Sequence, residues 1–235
     1  MNIGYKMKLL LSLMLFMSFF LTTNVSAKEQ HYSVEVVPKK MSVAEKKKRF
    51  FALLVPAVKE VHSELEEQYL QAKKDIQNHT NPEKIAALKK KYKVKTDEEL
   101  LIALKPHPIS ITLAQAAMES AWGTSRFFRE ANNIFGVWST SSKQKRVAAS
   151  QKRGNRTIWV RKFDNLDEAI RQYYYMLSTA SRYSTFKKMN YEDKPVTEII
   201  KGLKYYSERG DDYVNELASM IRYNKLTKYD TKVAK

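Results

Sequence analysis

Ile111-Thr112-Leu113-Ala114-Gln115-Ala116-Ala117-Met118-Glu119-Ser120-Ala121-Trp122-Gly123 is apolar or small at almost every position, and Glu119 is its one ionisable group. A run of this kind has too little polar surface for an exposed helix, so it reads as central and buried. Pro106 and Pro108 stop whatever precedes it. The spacing predicts a helix from about Ser110 to Gly123, with the glycine as a left-handed terminus. Glu119 then lies near the carboxyl end, where the backbone dipoles disfavour an ionised carboxylate. Met118 and Trp122 beside it would withhold water, which also favours the neutral form. A carboxylic acid kept protonated near neutral pH can protonate a leaving oxygen. A salt-bridged glutamate at a helix end is the alternative, and this run alone leaves both readings open.

Downstream, residues 127–133 suit a short helix or turn. Residues 146–163 read differently: Val147-Ala148-Ala149, a turn-rich Lys152-Arg153-Gly154-Asn155, then the alternating Ile158-Trp159-Val160-Arg161 predict one β-hairpin. Helices resume at Asn165, a capping residue with Glu168 at the reach-back position. Another short helix is expected over residues 195–203. The last begins near Asp211, where Asp211 and Asp212 suit the positive end of the dipole. Upstream, residues 43–78 carry apolar side chains at spacings of three and four, with Pro56 expected to kink or interrupt that helix. A short helix follows over residues 83–92. Thr96-Asp97-Glu98-Glu99 then supplies a capping box for the next. There is no internal repeat. The layout is mainly α, a lysozyme-like α+β domain with one small hairpin. Residues 28–95 form an N-terminal helical extension, expected to pack as an extension of the core, and residues 96–230 the domain itself.

The first 27 residues read as a signal peptide: Lys6 and Lys8, an apolar run over residues 9–21, then Val25-Ser26-Ala27 before the cut. The apolar run is about 13 residues, short of the ~20 a spanning helix needs. An uncleaved membrane anchor is the alternative. Export, with a periplasmic location, is therefore expected. The chain contains no cysteine, so acylation at the cleavage site is excluded and stability rests on packing. Four scattered histidines, His31, His62, His79 and His107, form no ligand-spaced pair, so neither a metal nor a cofactor is expected. The formal charge is +17, suited to an anionic polymer, and export argues against nucleic acid. A monomer is expected.

Ala114 to Ser125, with Glu119 at its centre, is followed by Asn132-Asn133-Ile134-Phe135-Gly136. Together they closely resemble the signature of glycoside hydrolase family 73, endo-β-N-acetylglucosaminidases that cut bacterial walls. Tyr205-Tyr206-Ser207-Glu208-Arg209-Gly210-Asp211-Asp212-Tyr213-Val214 and Ser219-Met220-Ile221-Arg222-Tyr223-Asn224 resemble the Bax-type subgroup still more closely. The likeness covers about residues 96–230, with its three blocks in the expected order. It implies that Glu119 is the general acid and that Asn133, Phe135 and Gly136 shape the cleft beside it. It also implies a catalytic role for Tyr206, near the acid, whereas Tyr213, the motif's second tyrosine, is expected mainly to pack. Trp122, Trp138, Glu208 and Tyr213 complete the expected substrate-binding set. Trp138 and Trp159 could stack on sugar rings, or simply pack.

One departure bears on mechanism. Many relatives carry a second glutamate in the hairpin, yet this chain has no Asp or Glu between Glu130 and Asp164. Ordinary retaining and inverting enzymes need a second carboxylate. Glu208 or Asp211 could supply it, the substrate's 2-acetamido group could replace it, or activity could be weak or absent. The expected function is hydrolysis of the β-1,4 bond after N-acetylglucosamine in peptidoglycan glycan strands. A lytic transglycosylase and a non-catalytic wall-binding scaffold are the rivals.

Overall fold

Local signals set most helix ends. The first helix, α1 (Val43–Gln77), starts at Ser42, whose hydroxyl accepts from the Glu45 amide while the Glu45 carboxylate accepts from the Ser42 amide. The computed structural model describes residues 34–153 and 156–230. The expected signal segment, residues 1–27, lies outside them. Of the two outcomes expected at Pro56, interruption does not occur: α1 passes through it for 35 residues. Ala52 and Pro56 both face solvent, so water can satisfy the Ala52 carbonyl that loses its Pro56 partner. On the opposite face Leu54 and Val58, on either side of Pro56 in sequence, are fully buried.

Helix α2 (Pro82–Tyr92) opens with proline in its first turn, where a missing amide costs nothing. Asp75 of α1 ties the turn before it by accepting from Gln71, Thr80 and Asn81. Helix α3 (Asp97–Leu104) carries the expected Thr96–Glu99 capping box. At about 50 Å long, α1 serves two cores. Its first half sends Phe50, Leu54, Val58 and Val61 into the main cluster, and its second half sends Tyr69 and Ala72 against α2 and α3.

The helix α4 (Ile109–Glu119) is central, with every residue from Ile109 to Ala117 buried. Its first turn is closed from far along the chain: Asp230 accepts from the Ser110 amide at 2.7 Å and the Ser110 hydroxyl at 2.8 Å. It ends at Glu119, not at Gly123 as the spacing predicts. The Ser120 hydroxyl donates to the Ala116 carbonyl at 2.6 Å and accepts from the Gly123 amide at 2.8 Å. Ala121, Trp122 and Gly123 then turn left-handed, with φ of 50°, 60° and 71°. The apolar pattern overruns because Trp122 packs on α1, with its ring centroid 5.3 Å from Phe50 and 5.7 Å from Phe51.

Helix α5 (Arg126–Ala131) is capped by Ser125. The expected hairpin follows as β1 (Arg146–Arg153) and β2 (Arg156–Arg161), antiparallel with Val147 opposite Val160 and Ala148 opposite Trp159. Helix α6 (Leu166–Thr179) is capped by Asn165, but Glu168 reaches back to the Asp164 amide instead of closing a capping box. Helix α7 (Ser184–Tyr191) has no counterpart in the sequence reading, because it buries little beyond Phe186 and Asn190. The expected helix over residues 195–203 divides into α8 (Val196–Ile199) and a tighter turn, Ile200–Leu203. A Cβ on Gly202 would come within 2.5 Å of the Phe186 backbone, so only glycine permits that approach. Helix α9 (Asp211–Tyr223) begins at the two aspartates and buries Tyr213, Val214, Leu217 and Ile221. The fold is mostly helical with one small antiparallel hairpin. Among the described residues no helix is long and apolar enough to cross a membrane.

Candidate active site

Two facing helices build the site. On α4, Gln115 and Glu119 are four residues apart and so share one face. On α9, Tyr213 points into the same space, and its hydroxyl donates to Glu119 Oε1 at 3.1 Å. That hydroxyl also accepts from Gln115 Nε2 at 2.7 Å, and Gln115 Oε1 accepts from the hydroxyl of Tyr173 on α6. The result is one hydrogen-bonded chain, Tyr173–Gln115–Tyr213–Glu119. Burial pushes both tyrosines well above the usual phenol range, so they stay protonated and keep donating.

Glu119 is exposed as a residue, while protein crowds the surroundings of its carboxyl. Burial pushes its carboxyl up, opposed by the Tyr213 hydrogen bond and the Arg209 charge, while the charge of Glu216 adds to the rise. Arg209 Nη1 donates to Glu216 Oε2 at 2.6 Å, and its guanidinium lies 5.6 Å from the Tyr213 ring centroid. A solvent-reachable carboxyl biased toward its neutral form suits a group that must deliver a proton.

The expected site residues divide into those beside the acid and those that support its surroundings. Phe135 stacks on Tyr173 with centroids 3.9 Å apart and planes at 11°. Tyr206 stacks on Tyr213 at 5.6 Å and 13°, and its hydroxyl donates to the Phe135 carbonyl at 3.2 Å. The two tyrosines thus sit together, and it is the Tyr213 hydroxyl that meets the acid. Asn133 is buried, and its amide is taken up by backbone: Nδ2 donates to the carbonyls of Val137 and Arg161, and Oδ1 accepts from the Val137 amide. It staples the Asn-x-Phe-Gly turn to β2. Gly136 is exposed at φ 66°, with open space where a Cβ would stand.

Trp138 is 57% exposed and bridges to Val160 of β2. Trp159 carries the Arg146 guanidinium 4.2 Å over its ring. Trp122 is turned toward Phe50 and Phe51, with Lys47 Nζ 4.8 Å over it. Glu208 is exposed and Asp211 opens α9; the carboxylate whose charge acts on Glu119 is Glu216. Sequence reasoning missed Gln115, Tyr173, Arg209 and Glu216. The first had a usable signal, one helical turn before Glu119, and so did Glu216, one turn after Tyr213. Tyr173 had none, lying in a run of three tyrosines. Among the described residues no group of three His, Asp or Glu side chains could hold a metal ion.

Residues 98–226 match the protein family described as mannosyl-glycoprotein endo-beta-N-acetylglucosaminidase. Protein bax of Escherichia coli (strain K12) is 29% identical over 199 residues, covering 77% of this chain and 70% of that protein. Among solved structures, the catalytic domain of the autolysin Auto from Listeria monocytogenes superposes with a TM-score of 0.44 at 18% identity, over 82% of this chain and 100% of that one. A peptidoglycan hydrolase from Sphingomonas sp. A1 gives 0.43 at 23% identity, over 52% of this chain and 79% of that one. Because the family match takes in more than half of the sequence and contains Glu119, Tyr206 and Tyr213, this chain belongs to the glucosaminidase family.

Proposed function

We propose that this chain hydrolyses the β-1,4 bond after N-acetylglucosamine in peptidoglycan glycan strands, outside the cytoplasm, with Glu119 as the general acid. The observation that carries the reading is the solvent-open Glu119 carboxyl, raised by burial and oriented by the Tyr213 hydroxyl at 3.1 Å. Family membership supports the glycosidic bond as the target. The leader-like first 27 residues and the +17 charge support an exported protein on a wall rich in lactyl and peptide carboxylates.

In the proposed reaction Glu119 gives its proton to the leaving glycosidic oxygen as the C1–O bond breaks. The hairpin supplies no carboxylate, so the carbonyl oxygen of the substrate's own 2-acetamido group closes onto C1 to form a cyclic oxazolinium. Water then opens that ring at C1 and returns a proton to Glu119. Tyr213 orients the acid, Gln115 and Tyr173 orient Tyr213, and Tyr206 supports Tyr213 by stacking. Asn133 holds the Asn-x-Phe-Gly turn in shape, and buried Phe135 backs Tyr173 by stacking. Gly136 and Trp138 are the exposed members of that stretch, the latter offering a ring to a sugar.

The test is digestion of purified sacculi with the wild type and with Glu119→Gln, reading the soluble fragments by mass spectrometry. Fragments ending in reducing N-acetylglucosamine from the wild type, reduced about 10²–10⁴-fold in rate by the substitution, are the expected result. Anhydro-muramic ends would make the chain a lytic transglycosylase instead. Sacculi that bind both proteins and release nothing would leave a wall-binding scaffold.

A further inference from the structure

The turn that ends α4 on Glu119 is costly by itself. Ala121 and Trp122 both sit in the left-handed region, where a side chain costs roughly 1–2 kcal/mol per residue. A turn of this kind persists only where its surroundings hold it, and the surroundings here come from α1. Arg49 is 1% exposed, and its Nη1 donates to the Gly123 carbonyl at 3.0 Å. The Trp122 ring is packed edge-on against Phe50 and Phe51, with Lys47 above it. Residues 47–51 therefore grip the turn through both its backbone and its largest side chain. The same guanidinium reaches the other way, with Nη2 donating to the Val34 carbonyl at 3.1 Å.

We propose that Arg49 is a positioning residue for the acid: its buried fork joins the carbonyls of Gly123 and Val34 and so fixes the left-handed turn that sets where Glu119 stands. The proposal rests on the hydrolase reading of Glu119, and it adds a component from outside residues 98–226, the stretch that matches the family. Burying a guanidinium is expensive unless its donors find acceptors; here Nη1 and Nη2 each donate to a backbone carbonyl, a two-pronged contact that a lysine cannot reproduce. The lever is short, because Gly123 lies four residues from Glu119 along a turn braced at both ends. A displacement of about 1 Å at a catalytic group can cost on the order of 10²-fold in rate. It also means that α1 and the backbone at Val34 belong to the machinery that orients the acid.

The test uses the full chain with Arg49→Met and Arg49→Lys, assayed on sacculi well below their melting temperatures. Expected for Arg49→Met is a fall in kcat of roughly tenfold to a hundredfold with KM within about twofold, and an intermediate fall for Arg49→Lys. Amide exchange should accelerate at residues 121–125 and stay unchanged across α9. If kcat per folded molecule is unchanged, or exchange rises evenly over the chain, Arg49 is only a core residue and the proposal is overturned. Should Arg49→Met fail to fold, Arg49→Lys supplies both readouts. A wild type that releases no fragments would sink the hydrolase reading. The exchange comparison then still decides the grip, supporting it if the turn alone loosens and overturning it if it does not.

Discussion

Tyr213→Phe deletes one oxygen, and that oxygen has two partners. It donates to Glu119 Oε1 at 3.1 Å and accepts from Gln115 Nε2 at 2.7 Å. Removing the donor takes away an interaction that favours the ionised carboxylate, so the Glu119 carboxyl moves further up. A hydrogen bond to a charged group is worth about 1.5–3 kcal/mol, and one pH unit corresponds to about 1.4 kcal/mol. Solvent reaches the carboxylate and replaces part of the lost bond, so the lower end of that range applies and the carboxyl still rises. The alkaline limb of the kcat/KM profile on sacculi should therefore move up. At the plateau, kcat should fall roughly tenfold, because the acid has lost its orienting partner. Leaving Gln115 Nε2 without its buried acceptor costs a further ~1–3 kcal/mol of stability, readable as a lower melting temperature. Tyr206→Phe is the control, since its hydroxyl goes to the Phe135 carbonyl; it should leave the pH limb in place. An unmoved limb in Tyr213→Phe, with a shifted one in Tyr206→Phe, would refute the assignment of the orienting role to Tyr213.

Glu216→Gln should act in the opposite direction: it removes a like charge that raises Glu119 and leaves the Arg209 charge that lowers it, so the alkaline limb should move down. A limb that stays put, or moves up, would show that this ion pair does not govern the acid. Burial holds His62 at about 4 in the folded chain against about 6.5 for a free imidazole. Between those values the unfolded chain binds more protons, so stability is fully present above about pH 6.5 and falls as the pH drops toward 4, by roughly 3 kcal/mol in all. Urea titrations at pH 7 and pH 4.5 on the wild type and His62→Gln check this, and equal slopes in the two proteins would count against it. Trp138→Ala should raise KM on sacculi several-fold while leaving the melting temperature within about 1 °C, since that ring is 57% exposed. A loss of stability without a KM effect would reassign Trp138 to packing.

The parts of the fold that were legible in the chain are those governed by neighbours in sequence. Thr96 followed three residues later by Glu99 marked the start of α3, and the same Ser42–Glu45 pattern stands at the start of α1. The alternation around Trp159 marked the hairpin, and the paired aspartates marked α9. Pro56 does not interrupt α1, because a proline's cost depends on whether the freed carbonyl meets water, and that depends on which face of α1 is buried. Helix α7 escaped because so little of it is apolar.

Sequence by itself determined that a buried helix carries a single carboxyl at its end, and that this carboxyl is Glu119. Both follow from composition and from the 3.6-residue period, which are local properties. Only the tertiary structure decided which tyrosine hydrogen-bonds Glu119, since Tyr206 and Tyr213 stand in one motif and the pairing depends on how α9 and the turn before it pack against α4. Tyr213 meets a residue 94 positions earlier. Tyr173 joins Gln115 across 58 positions, and Arg49 reaches Gly123 across 74. Such pairings are fixed by the packing of whole helices, and no period within a single segment encodes them.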